Sequence, residues 1–259
     1  MKESITKERP ILFSTDMVKA IIEDRKTETR RRSKHQYWSH SELVDVNQNE
    51  ITQKIDRSVS CPYGQPGDIL WVRETWRVNG WDHEDVTFDI EYADGTVRKD
   101  IELFDYSYKN DEFFTRILDT MGRRCEPRVD DVEEMFWFSR EQITEHMPWK
   151  PSIHIPKAAA RIWLEVLDSK IERLNDITEK GCMAEGLERL VYWDPDGDEY
   201  TYPCFVDKLY EHCNAIDCFK TLWQSINGPA SWDENPWVWV VKFKVLSTTG
   251  RPLPTTQNQ

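Results

Sequence analysis

The sequence lacks a long hydrophobic run and a regular cysteine framework. No apolar stretch reaches the roughly 18 residues that a membrane-spanning helix needs, and no N-terminal apolar segment resembles a signal peptide. The six cysteines stand at irregular spacings, which argues against a small disulfide scaffold and favours reduced thiols. We therefore expect a cytoplasmic protein with no membrane partner.

Metal-binding patterns are missing as well. The cysteines and the histidine between Cys204 and Cys218 lack the paired short spacings of a structural zinc site. The carboxylates between Asp194 and Asp207 lack the spacing of a calcium-binding loop. The sequence therefore predicts neither a metal nor another cofactor.

Positive charge is scarce. The chain has 47 acidic and 34 basic residues and a net charge of −13. This balance argues against broad, nonspecific binding to nucleic acid, which depends on many Lys and Arg contacts to phosphate. Much of the imbalance lies in residues 78–149, which hold 19 acidic and 8 basic residues. Any contact with nucleic acid is therefore expected to be local.

Aromatic residues are abundant, with 12 Trp, 9 Tyr and 10 Phe. Many stand beside β-branched residues, which favours strands over an all-helical bundle. The patterns predict an α+β fold whose strands come together across long separations, as in a small β-barrel. Strands are predicted at 11–13, 69–76, 159–166 and 236–245, and helices at 16–26, 176–186 and 205–226.

We expect a single domain over residues 1–259, with insertions. The predicted core pieces are about 10–32, 61–77 and 150–246. Residues 33–60 are predicted to form a mobile loop, residues 78–149 an acidic insertion and residues 247–259 a disordered tail. Inside the insertion, residues 86–92 and 96–103 predict a hairpin, and 113–121 and 132–138 predict short helices. The insertion is a specificity lid, a partner surface or an elaboration without its own function.

The positive charge that exists gathers in one stretch. Five of the eight residues from Arg25 to Arg32 are cationic. They follow an amphipathic helix that begins at Asp16 and is expected to end near Lys26, so that Lys26 and Thr29 come to one place. Either an anion or an electron-rich ring edge docks here, or the cations offset the negative end of the helix dipole in solvent.

A second candidate stretch follows the turn-rich residues 61–68. In the strand predicted at 69–76, Trp71 and Arg73 share one face, and Glu74 and Trp76 share the other. An Arg and a Glu on opposite faces of an apolar strand suggest that one of them faces a pocket. An ion pair at the strand end is the alternative.

Several segments of the sequence resemble a known domain family. Asp24–Arg31 resembles the signature of ASCH domains, the PUA-like small barrels, written Gly-x-Lys-x-x-Glu-x-Arg. Pro66–Val72 resembles the turn and second strand of the family, Asp176–Gly186 its helix, and Trp237–Val245 its closing strand. The segment Ser231–Trp237 is similar to ASCH proteins of bacteriophages and prophages. The resemblance covers fewer than half of the residues and implies a PUA-like β-barrel with flanking helices, in a bacterial host cytosol.

Two positions depart from the signature. Asp24 replaces its Gly, and Thr29 replaces its Glu. A bacterial branch of the family, the YqfB-like amidohydrolases that deacylate N4-acetylcytidine, also has Lys-x-x-Thr there and places its catalytic Glu in the later helix. The resemblance therefore implies Lys26, Thr29 and Glu185 as catalytic residues.

The residue types suit that chemistry. Amide hydrolysis needs a nucleophile, a base and a cation or donor facing the oxyanion. Thr29 supplies a hydroxyl, and neighbouring arginines lower the pKa of Lys26 so that it can act as the base. Glu185 shuttles a proton or binds the exocyclic nitrogen. Alternatively, Lys26 and Glu185 form a structural ion pair between helices, and Thr29 caps a turn.

Three functions from different classes stay open. The first is an amidohydrolase acting on an N4-acylated cytidine or related nucleoside. The second is a noncatalytic PUA-like module that binds a local single-stranded segment of RNA or DNA. In either case the predicted binding residues are Arg30, Arg31, Trp71, Arg73, Glu74 and Trp76. The third is a phage protein that binds a host protein through residues 78–149.

Overall fold

The computed structural model describes most of the chain. The described residues are 6–34, 61–82, 85, 87–103, 112–125, 128–129, 136–137, 139–188, 190–194, 197–201 and 214–252. Several predictions lie wholly or partly outside these ranges, namely the loop at 33–60 from residue 35 onward, the helix residues 205–213 and the tail from residue 253. The same holds for Cys204, His212 and Cys213.

The described residues form twelve strands and five α-helices. The strands are β1 (Glu8–Leu12), β2 (Glu28–Arg32), β3 (Ile69–Arg73), β4 (Trp76–Asp82), β5 (Thr87–Tyr92), β6 (Val97–Ile101), β7 (Arg128–Val129), β8 (Phe136–Trp137), β9 (Trp163–Arg173), β10 (Leu190–Asp194), β11 (Gly197–Thr201) and β12 (Trp237–Ser247). The helices are α1 (Thr15–Ile22), α2 (Glu112–Arg124), α3 (Arg140–His146), α4 (Glu179–Ala184) and α5 (Ala215–Asn227).

The largest sheet has five strands in the order β1-β3-β9-β12-β2. A second sheet has the order β4-β5-β6, and β7-β8 and β10-β11 form two-stranded sheets. The predicted α+β class is confirmed. Closure of the strands into a small barrel stays a prediction, because β1 and β2 stand at the two ends of the described five-stranded order.

The helix at the cationic stretch is shorter than predicted. It ends at Ile22 and not near Lys26. Asp24 adopts a left-handed φ of 56°, and the backbone N–H groups of Arg25 and Lys26 both donate to the Ala20 carbonyl oxygen at 2.9 Å. Lys26 and Thr29 therefore do not lie on a helix end; the chain turns and continues into β2.

β2 is one of the strands that the sequence analysis missed. It pairs antiparallel with β12, from Glu28 opposite Lys242 to Arg32 opposite Val238. Residues 237–241 of β12 are all buried, so this strand offers an apolar partner along most of its length. Pairing with β12 outweighs the polar composition of β2, since strand formation depends strongly on neighbouring strands.

The other predicted elements differ mainly in their boundaries. The strand predicted at 69–76 is divided between β3 and β4, and the strand predicted at 159–166 begins only at Trp163. The hairpin inside the insertion is confirmed as β5 and β6. The helix predicted at 132–138 is wrong where the structure describes it, because residues 136–137 form β8.

Inter-residue contacts divide the chain into two compact units. The first unit comprises residues 1–9, 19–70 and 165–245, and the second comprises 10–18, 71–164 and 246–259. The first has a core of α4, α5 and β12 side chains that includes Cys182, Phe219 and Val240. The predicted insertion, residues 78–149, lies within the second unit. The predicted single-domain organisation itself stays a prediction.

The second unit has its own core, and backbone hydrogen bonds join the two ends of the predicted insertion. Trp76, Ile90 and Tyr92 are fully buried in it. At the two ends of the insertion, the Trp76 N–H donates to the Lys150 carbonyl at 3.2 Å, and the Lys150 N–H donates back to the Trp76 carbonyl at 2.7 Å. The two ends of residues 78–149 are therefore held together by one backbone pair.

The cysteines that the structure describes form no disulfide bonds. Cys61, Cys125, Cys182 and Cys218 are buried. Within the described ranges, no group of His, Cys, Asp and Glu residues is placed to hold a metal ion. None of the helices in these ranges combines the length and apolar character needed to cross a membrane.

Candidate functional site

Lys26 and Glu185 form a buried ion pair in the first unit. Lys26 Nζ lies 2.5 Å from Glu185 Oε2, and the two side chains are 0% and 5% exposed. Nζ also donates to the Glu185 carbonyl oxygen at 2.8 Å. The backbones of the same two residues form an isolated β-bridge. Main chain and side chain therefore fix this pair together, and the catalytic roles of Lys26 and Glu185 stay predictions.

The chain around Glu185 is shaped for this close approach. Thr178 caps the start of α4, its hydroxyl accepting from the Gly181 N–H at 3.1 Å, and Glu185 directly follows the last helical residue. Gly186 then adopts a left-handed φ of 94°, and a Cβ atom there would lie 2.9 Å from the Cβ atoms of Ala20 and Lys26. Glycine is required here both for its backbone conformation and for the space.

Arg30 binds the other oxygen of the same carboxylate. Its Nη1 lies 3.3 Å from Glu185 Oε1, and its Nη2 lies 3.0 Å from Glu172 Oε1. The Arg30 side chain is 4% exposed. Arg30 therefore contacts two carboxylates of the chain itself, Glu185 just after α4 and Glu172 on β9. Its role in binding a substrate or nucleic acid stays a prediction.

The surroundings of Lys26 lower the pKa of its amine. Burial lowers the pKa of Lys26 below its ordinary value of 10.5; the ion pair with Glu185 opposes this effect, and the nearby cations Arg31 and Arg30 add to it. Burial also lowers the pKa of Arg31. A lysine that gives up its proton more easily than usual can act as a base, which an exposed lysine does poorly near neutral pH.

Thr29 is buried in the middle of β2. It is 1% exposed and stands opposite Val241 of β12. Because side chains alternate along a strand, Thr29 shares its face with Arg31, and Arg30 lies on the other face. The structure thus brings Lys26 and Arg30 onto the two oxygens of the Glu185 carboxylate. It places Thr29 on the same face as Arg31, whose charge acts on Lys26.

The remaining predicted binding residues belong to the second unit. The guanidinium of Arg73 lies 4.8 Å from the ring centroid of Trp71. Trp76 is 0% exposed, and Lys150 Nζ lies 5.2 Å from its ring centroid. Trp76 therefore presents no open ring face in this structure. The roles of these residues in binding stay predictions.

Glu74 is held in a buried cluster that the sequence analysis missed. Arg161 Nη2 lies 2.6 Å from Glu74 Oε2 and 2.7 Å from Asp94 Oδ2, and its guanidinium stacks 4.3 Å from the Tyr92 ring centroid. Burial raises the pKa of Glu74, although the hydrogen bond from Arg161 opposes this. For Glu74 the structure matches the ion-pair interpretation.

Two carboxylates escaped prediction because no local pattern marks them. Asp94 was assigned only to a hairpin turn, and Glu172 stands near the end of a strand with no signature around it. Arg161 was noticeable as a cation among apolar residues, and that isolation was the one sequence signal for a buried partner.

No protein-family model, no curated protein and no solved structure matches the chain. The likeness to ASCH domains therefore depends on the residues and contacts described above.

Proposed function

We propose that this chain is an amidohydrolase that removes an N4-acyl group from cytidine or a related nucleoside, on a PUA-like ASCH fold. One observation carries the proposal, namely the buried ion pair between Lys26 and Glu185, with buried Thr29 three residues after Lys26. Burial lowers the pKa of this lysine, which suits the amine to a base at moderate pH. The same three positions match the Lys-x-x-Thr and Glu pattern of the YqfB-like enzymes.

The arrangement of strands supports the fold part of the proposal. β2 contains the second half of the segment that resembles the ASCH signature, and β12 contains the segment that resembles the closing strand. These two strands pair antiparallel over residues 28–32 and 238–242. Two segments far apart in the sequence therefore meet, as a PUA-like barrel requires.

The proposed reaction transfers the acyl group to the protein and then to water. Neutral Lys26 takes the proton of the Thr29 hydroxyl, and Thr29 Oγ1 attacks the amide carbonyl carbon. The oxyanion faces the Arg31 cation, the bond from carbon to N4 breaks, and N4 receives a proton through Glu185. Water then cleaves the ester, releasing the carboxylic acid and restoring the hydroxyl. Because Lys26 is 1% exposed, a nucleoside reaches it only when neighbouring side chains move.

The test is incubation of the purified protein with N4-acetylcytidine, followed by liquid chromatography for cytidine. We expect turnover by the wild type and a loss of about 10²-fold or more in Lys26→Met, Thr29→Val and Glu185→Gln. The matched controls Lys244→Met, Thr27→Val and Glu188→Gln change the same residue types at exposed positions and should keep the activity.

Two results would overturn the proposal. One is the absence of turnover by folded wild-type protein on this nucleoside and on longer acyl analogues. The other is full activity in Lys26→Met. Binding of single-stranded RNA or DNA without turnover would instead favour the noncatalytic module, and capture of a protein by residues 78–149 would favour the third function.

A further inference from the structure

A chain of alternating charges runs from the buried lysine towards the surface. Lys26 contacts Glu185 at 2.5 Å, Glu185 contacts Arg30 at 3.3 Å, and Arg30 contacts Glu172 at 3.0 Å. Glu172 in turn lies 2.9 Å from Lys170, whose side chain is 52% exposed. Glu185, Arg30 and Glu172 therefore each contact a charge of opposite sign on two sides.

A glycine leaves space for the Arg30 side chain in the middle of this series of charges. Gly181 lies inside α4, where glycine is less favourable than alanine. A Cβ atom at this position would lie 2.8 Å from Arg30 Nη2 and 3.1 Å from Ile177 Cγ1. Gly181 thus lets the guanidinium lie against the helix, where it reaches Glu172 and Glu185 together.

Arg30 has two opposite influences on the site. Its contact with Glu185 Oε1 leaves Oε2 directed at Lys26, and its positive charge disfavours a second positive charge on Lys26. Glu172 does not contact Lys26, but its negative charge offsets that of Arg30. Other ionisable groups lie around this series of charges. On β2, Arg31 acts on Lys26 and Glu28 lies near Arg30; on α4, Cys182 interacts with Arg30 and Glu185. Tyr63, before β3, acts on Arg31.

From this geometry we infer that Arg30 is a positioning residue that holds Glu185 for Lys26, and that Glu172 is the counter-charge that sets how strongly Arg30 acts on Lys26. The pair would then determine the pH range in which the site works. This inference deepens the proposed function and rests on it in one respect, that Lys26 acts as the base.

Substitution of Arg30 and substitution of Glu172 should shift the pH profile of kcat/KM in opposite directions. In Arg30→Gln, the loss of a cation lets Lys26 hold its proton more tightly, so the acidic limb of kcat/KM moves to higher pH by about one unit. In Glu172→Gln, the uncompensated Arg30 makes protonation of Lys26 harder, so the limb moves to lower pH. A purely structural role would lower the activity without opposite shifts.

Two further variants separate charge from folding. Gly181→Ala keeps every charge but displaces the guanidinium, so it should shift the limb in the same direction as Arg30→Gln. Glu165→Gln is the matched control, because Glu165 lies on the same strand and pairs at 2.9 Å with half-exposed Lys244; it should leave the limb in place. If Arg30→Gln fails to fold, Gly181→Ala and Glu172→Gln still give the comparison.

A readout without substrate distinguishes this inference from the proposed hydrolysis. The protein is labelled with 13Cε-lysine, the Lys26 signal is assigned by its loss in Lys26→Met, and the amine is titrated by NMR in the wild type and the variants. Opposite shifts without any turnover would keep the roles of Arg30 and Glu172 and overturn the hydrolase. Turnover with parallel or absent shifts would keep the hydrolase and overturn the positioning pair.

Discussion

At the residue scale, the buried amine of Lys26 should make stability depend on pH. Its pKa in the folded protein is lowered by burial below the ordinary value of 10.5, which the unfolded chain retains. Between these two values the unfolded chain binds more protons, so the free energy of unfolding rises with pH. We expect this rise in the wild type and its absence in Lys26→Met.

Guanidinium unfolding between pH 7 and pH 10 measures the effect. The comparison is the difference in unfolding free energy between wild type and Lys26→Met at each pH, and Lys244→Met, changed at an exposed position, serves as the control. A difference that stays constant over the whole range would contradict a lowered pKa at Lys26.

Tyr92 should make stability depend on pH in the opposite direction. Its hydroxyl donates to the Ala159 carbonyl at 2.5 Å, and burial raises the pKa of Tyr92 to about 12. Above pH 10 the unfolded chain loses this proton while the folded protein keeps it, so stability falls as pH rises. Tyr92→Phe should remove the fall and cost about 1 kcal/mol near pH 7 through the lost hydrogen bond.

The same unfolding series, extended to pH 11, checks this second expectation. Tyr63→Phe is the matched control, because this tyrosine is only partly buried. Equal losses of stability at high pH in the wild type and in Tyr92→Phe would rule the explanation out.

The sequence predicted single residues where a pattern named them and failed where partners were distant. Lys26 and Glu185 were found because each stands in a recognisable segment, and the structure brings them within 2.5 Å. Glu172 and Asp94 were missed because their partners lie 142 and 67 residues away. Charge pairing across such separations depends on the fold and leaves no periodic signal in the sequence.

At the scale of elements, the junction after α4 should be sensitive to one methyl group. Gly186→Ala must adopt a φ of 94° and bring its Cβ 2.9 Å from Lys26 Cβ. The left-handed backbone alone costs about 1–2 kcal/mol, and the close contact adds to this by pushing Lys26 away from Glu185. We expect both lower stability and, if the protein is a hydrolase, lower activity.

Gly228→Ala is the matched control for this change. Gly228 follows α5 with a φ of 97°, and a Cβ atom there would meet nothing within 4 Å. It should therefore lose only the backbone part of the stability, as seen by thermal or denaturant unfolding. Equal losses in the two variants would show that the contact with Lys26 has no energetic consequence.

Elements with strong local signals were predicted well. Thr178 caps α4 as expected, Gly228 ends α5, and β12 covers the aromatic and β-branched run from Trp237. β2 was not predicted, because Arg30, Arg31 and Arg32 offer no apolar alternation. Its conformation depends on pairing with β12, and the sequence of residues 24–32 alone gives no information about that pairing.

At the scale of the molecule, the charge distribution predicts weak binding to nucleic acid. The net charge is −13, and described cations of the candidate stretch already contact carboxylates, Arg25 with Glu23 and Arg32 with Glu234. We expect a Kd no tighter than about 10⁻⁴ M for a single-stranded RNA at physiological salt.

Fluorescence anisotropy with a labelled RNA and a labelled DNA of the same sequence tests this expectation over a salt series. A micromolar Kd that weakens steeply with salt would contradict it and support the noncatalytic module. Arg31→Ala then reports whether the cationic stretch is the contact, because it should reduce both the affinity and the slope against salt.

The backbone pair between Trp76 and Lys150 has a consequence for how such a chain changes over generations. Two hydrogen bonds join the residues that flank the excursion, so its ends stay together whatever its length. The entropic cost of closing a loop grows slowly, by about 0.6 kcal/mol for each doubling of length. Changes in the length of this segment therefore have only a small effect on the entropy of closing it, provided that the buried residues of β4 and β5 are kept.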